Sequence, residues 1–70
     1  MSWSRSVFST MISSVAWEDD PPQMVVTFAK GTSYAYDVPE DLAERLSYAA
    51  SAGGFFYSEV KPFYPGRRIG

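Results

Sequence analysis

A chain of 70 residues with neither cysteine nor histidine has to hold itself together by burial alone. No disulfide can form, no thiolate can bind a metal, and the commonest zinc ligand is missing. Ordering a chain costs roughly 1.5 kcal/mol per residue, so a core this small comes out near balance unless something adds to it. What this sequence adds is rings. Two Trp, five Tyr and five Phe make 17% of the chain aromatic, and each such side chain buries about 150–250 Å². The expectation is one domain over residues 1–70, with a dense aromatic core or a core plus an adhesive surface.

Charge narrows the partners. The net charge is −2, which argues against binding nucleic acid through the overall field. The distribution is uneven: residues 1–58 carry a net −4 and residues 59–70 a net +2, from Lys61, Arg67 and Arg68 against Glu59. An anion-binding surface is therefore expected at the C-terminal end. Apolar runs fall far short of the ~20 residues needed to cross a bilayer, and the first residues lack a continuous apolar stretch followed by a small-residue cleavage site. The expected setting is cytoplasmic, or a virion if the chain is phage-encoded, with no membrane.

Along the chain, Trp3, Val7, Phe8, Met11 and Ile12 fall at helical spacing, but Ser2, Ser4, Ser6, Ser9 and Thr10 are poor helix interiors. The first segment stays open between the two readings. Alternation predicts a strand over Ser14–Glu18, closed by Asp19-Asp20-Pro21-Pro22. Gln23–Ala29 and Ser33–Val38 form a hairpin in which Gly31 supplies positive φ. Pro39 with Glu40 and Asp41 starts a helix over Pro39–Ala52, whose buried stripe is Leu42, Leu46, Ala49 and Ala50, and Gly53-Gly54 ends it. Phe55–Lys61 suits one more helical turn. The fold class is α+β: a three-stranded antiparallel β-meander packed on one α-helix, with extended terminal arms at 1–12 and 61–70.

Five short pieces in order then point to a family: Ser13-Ser14-Val15, the Gly31-x-x-Tyr34-x-Tyr36 hairpin, Val38-Pro39, Ala50-Ser51-Ala52-Gly53 and Phe55-Phe56, with Lys61 and Tyr64 completing the series. Together they resemble the KTSC domain, a module found at the C-terminus of some lysyl-tRNA synthetases and as a standalone protein in bacteria and tailed phages. The resemblance spans about residues 6–64. It departs at Ala16-Trp17-Glu18, where the family has a Gly-Tyr-Asp-like sequence, and at Tyr57-Ser58, where asparagine is common. The resemblance implies an architecture and brings no activity with it.

Candidate chemistry is sparse. Ser51 before Gly53 invites a nucleophile reading, but a serine needs an adjacent base and an orienting group, and no spacing nominates either. Structural capping is favoured. Glu18, Asp19 and Asp20 could ligate a hard cation, yet the oxygen spacing stops at the Pro-Pro turn. Glu40, Asp41 and Glu44 suit the helix dipole. Tyr34 and Tyr36 could form a stacking platform for bases; covering the helix is the favoured alternative, because Leu42 and Leu46 need an apolar sheet. No enzyme activity, cofactor, metal or small-molecule substrate is expected.

The remaining rings and cations lie in the arms: Trp3, Phe8, Lys61, Phe63, Tyr64, Arg67 and Arg68. Apolar surface of this kind marks interfaces. The leading expectation is a non-catalytic module acting by protein–protein contact or self-assembly, as a component of a larger assembly such as a tailed-phage particle. The alternative is an accessory module that binds RNA or single-stranded DNA through its basic-aromatic C-terminal segment.

Overall fold

In the computed structural model, which describes residues 2–70, both terminal segments belong to the sheet. Five antiparallel strands lie in chain order: β1 (Trp3–Ser6), β2 (Ile12–Asp19), β3 (Pro22–Phe28), β4 (Ser33–Tyr36) and β5 (Gly66–Arg68). The class is α+β as expected, with two corrections. The meander has five strands rather than three, and the chain ends are edge strands rather than extended arms.

The N-terminal edge escaped the sequence because a bulge imitates helical spacing. Ile12 pairs with Phe28 and Ser14 with Thr27, so Ser13 is an extra residue in β2. A bulge lets two residues three apart face the same side, and Ile12 and Val15 are both fully buried. Before it, Trp3 and Arg5 alternate with Ser4 and Ser6 and pair with Trp17 and Val15. β5 was equally hard to see, with only three residues, all exposed and two of them arginine.

One face of the sheet carries the core. Val15, Trp17, Met24, Val26 and Tyr36 are buried there, in one cluster with Leu42, Ala43 and Leu46 of α1 (Glu40–Tyr48) and with Phe56 and Val60. Gly31, at φ 101°, closes the β3–β4 hairpin and is the only positive-φ residue among those described. Pro39 caps α1 from just outside it, its carbonyl accepting the amides of Leu42 and Ala43. The first turn carries Glu40 and Asp41 as the dipole favours.

The helical region is shorter and then longer than expected. α1 stops at Tyr48 because Ala49 is extended (φ −64°, ψ 141°), so Ala43 takes the buried place expected of Ala49 and Ala50; Ala50 is exposed. A second helix, α2 (Ala52–Phe55), then starts at Ser51, whose hydroxyl accepts the Gly54 amide at 3.2 Å. Such a cap is worth about 1 kcal/mol. Gly53 and Gly54 thus lie inside a helix instead of ending one. They are small because of close approach: a Cβ at Gly53 would stand 3.3 Å from Ser9 Oγ, and one at Gly54 3.0 Å from the capping Ser51 Oγ. α2 runs on into a π-helical segment, Phe56–Val60, whose Lys61 amide reaches back to the Phe56 carbonyl at 2.9 Å.

Candidate functional site

The C-terminal helical region and the β3–β4 side of the sheet enclose an open cleft made of two adjoining basins, of about 340 and 430 Å³. Phe28, Tyr34, Tyr57 and Lys61 line both. Tyr36, Phe56, Tyr64 and Gly66 complete one basin, and Met11, Lys30 and Thr32 the other. Ring packing sets the floor. Phe56, 3% exposed, meets Phe28, Tyr36 and Tyr57 edge-on at centroid distances of 5.5, 5.5 and 5.7 Å, and Phe28 meets Tyr34 the same way at 5.9 Å. This T-shaped geometry suits the ring quadrupoles. Lys61 Nζ lies 4.9 Å from the Tyr57 centroid, a cation–π contact at the rim.

Tyr34 and Tyr36 divide between the two roles weighed for them. Tyr36 is 6% exposed and belongs to the core, whereas Tyr34 is half-buried and lines both basins. Burial raises the Tyr36 phenol above its ordinary pKa, and the neighbouring Tyr34 adds to the rise.

Of the residues expected to meet partners, several are already engaged. The Trp3 indole N–H donates to Glu40 Oε2 at 3.0 Å, and the Arg5 guanidinium lies over both the Trp3 and Tyr48 rings. Arg67 points to the sheet face away from the helices, where it donates to Asp37 Oδ2 at 3.0 Å and to Gln23 Oε1 at 2.9 Å. Arg68 Nε donates to the Gly70 carbonyl at 3.4 Å, and Tyr64 packs against the core. Phe8 and Phe63 are exposed, at 102% and 69%. The segment Lys61–Gly70 is therefore not one basic-aromatic surface. Lys61 and Tyr64 line the cleft, Arg68 stands opposite Tyr34 on that same face, and Arg67 leaves by the other.

Sequence reasoning missed Phe28, Lys30 and Tyr57 as site residues. The i,i+4 spacing of Tyr57 and Lys61 on the helical turn was the available signal; nothing local links Lys30 to either. Ser51 is occupied as a cap. The turn acids Glu18 and Asp19 bond to Gln23 Nε2 and to the Trp17 indole N–H, and among the described residues no three His, Cys, Asp or Glu side chains gather as a metal site. No helix among the described residues is long and apolar enough to cross a membrane.

Comparison with known proteins agrees with this architecture. No curated protein matches the chain. The crystal structure of a KTSC domain protein from Yersinia pestis is similar over 100% of both chains, with 29% sequence identity and a TM-score of 0.83. The family model of the KTSC domain matches residues 8–64, and the chain belongs to the KTSC domain family.

Proposed function

We propose that the chain is a non-catalytic interaction module that works by protein–protein contact, as a structural or accessory component of a larger assembly such as a tailed-phage particle. The observation that supports this reading is Phe8. Its side chain is fully exposed, yet it stands on an ordered loop. Ser9 Oγ accepts the amides of Met11 and Ile12 at 3.1 and 3.2 Å, the Val7 amide donates to Ser13, and the Ala29 amide donates to Met11. Burying a phenyl ring is worth roughly 1.5–3 kcal/mol. A loop that holds one outward leaves that stabilisation for a partner to recover.

The working surface is thus the β1–β2 loop, in place of free arms: Trp3 serves the fold, and Phe63 is a second exposed ring near β5. The test compares wild type with Phe8→Ser by light scattering across concentrations and by recovery of the native complex from the producing cell. Support is a defined oligomer or stoichiometric partner that the wild type forms and Phe8→Ser loses. A monomer at every concentration, with identical recovery for both chains, would sink the reading.

A further inference from the structure

The cleft combines flat rings with cations in a chain whose net charge is negative, and the topology sorts the charges. The β2–β3 turn and the start of α1 hold Glu18, Asp19, Asp20, Glu40 and Asp41 at one end of the sheet. Lys30 sits at the β3–β4 turn, at the other end. Lys61 lines both basins and Arg68 shares their face of the sheet, opposite Tyr34. No carboxylate lines either basin among the described residues. Tyr57 is 48% exposed, and Tyr34 and Phe28 are only partly buried, so ring surface is open to a ligand. Tyr57 also stands on the π-helical segment, a geometry often found at functional sites.

We propose that this cleft binds a short stretch of single-stranded nucleic acid, with bases against Tyr57 and Tyr34 and backbone phosphates against Lys30, Lys61 and Arg68. Stacking on aromatic rings suits any base, and a few surrounding cations track the backbone. An extended strand fits better than a lone nucleotide because the two basins run together, with cations at Lys30 and at the shared Lys61. A duplex hides its base faces from such a cleft. This site is separate from Phe8, so it stands or falls independently of the protein contact.

The test is fluorescence anisotropy of a labelled single-stranded oligonucleotide, with a mononucleotide and a duplex as competitors. Three phosphate contacts predict a log–log salt slope near −2, or about twenty-fold weaker binding between roughly 50 and 200 mM salt. Lys30→Gln and Lys61→Gln should each reduce that slope by about 0.7. Tyr57→Ala, its fold checked by circular dichroism, should weaken binding about ten-fold across sequences. Arg5→Gln, at the far edge of the sheet, should leave binding unchanged. No binding at low salt overturns the proposal. So does loss by Arg5→Gln equal to that of Lys61→Gln, which would mean attraction to overall charge. A mononucleotide or duplex that competes as well as the oligonucleotide also overturns it.

Discussion

The ring of Tyr36 lies over the backbone of Gly66, its partner across the β4–β5 pair, so closely that a Cβ at Gly66 would fall 2.7 Å from Tyr36 Cε1. An aromatic side chain covering an edge glycine pins register at a strand that has little else to hold it. β5 has three exposed residues, and beyond its ladder the Ile69 and Gly70 amides bond back to the Ser33 carbonyl.

Gly66→Ala should therefore cost about 1–3 kcal/mol, the usual range for overpacking, because the methyl must displace a ring that is itself wedged against Phe56. Urea denaturation gives the loss directly. Hydrogen exchange locates it: the Ile69 and Gly70 amides should lose protection before those of β2 and β3. Unchanged stability and unchanged exchange would show that the ring yields freely.

Phe56 is the ring on which sheet, helix and cleft converge. Phe56→Ala removes three edge-on ring contacts at once, and truncating a buried Phe costs about 3–5 kcal/mol. A 70-residue chain has roughly 3.5–10 kcal/mol of stability in all. The variant should be largely unfolded at 37 °C, seen as loss of near-ultraviolet circular dichroism. Phe56→Leu, which keeps most of the apolar volume, should stay folded with a lower Tm.

How far such contacts can be read in the sequence depends on the range of the interaction that decides them. The hairpin was legible because Gly31 and the alternating Tyr34 and Tyr36 act locally, and the start of α1 because Pro39, Glu40 and Asp41 do the same. The Ser13 bulge was not: Ile12 and Val15 face the same side only because β3 pairs around the extra residue. Glycine chemistry misled at Gly53-Gly54, where closeness to Ser9 and Ser51, rather than positive φ, accounts for the small residues. The candidate cleft was half visible. Lys61, Tyr64 and Arg68 stood out as a basic-aromatic tail, while Phe28 and Lys30 reach the site through strand pairing and Arg67 is turned away by the alternation of β5. Charge counted along the chain cannot separate Arg67 from Arg68; the pleat does.

Alkaline pH tests the buried phenol. The Tyr36 pKa is raised above its ordinary value of 10.0 by burial, with Tyr34 adding to the effect. The folded state thus binds the phenolic proton more tightly than the unfolded chain does. That contribution to stability is complete below about pH 10 and is lost as pH rises through the higher, folded-state value. Stability measured by urea denaturation should accordingly fall above pH 10 more steeply for the wild type than for Tyr36→Phe, with absorbance near 295 nm reporting phenolate formation. The other four tyrosines titrate in both proteins, so the difference between the two curves isolates Tyr36. Parallel curves would mean that its ring reaches solvent as readily when folded as when unfolded, contrary to its place beneath Phe56 and over Gly66.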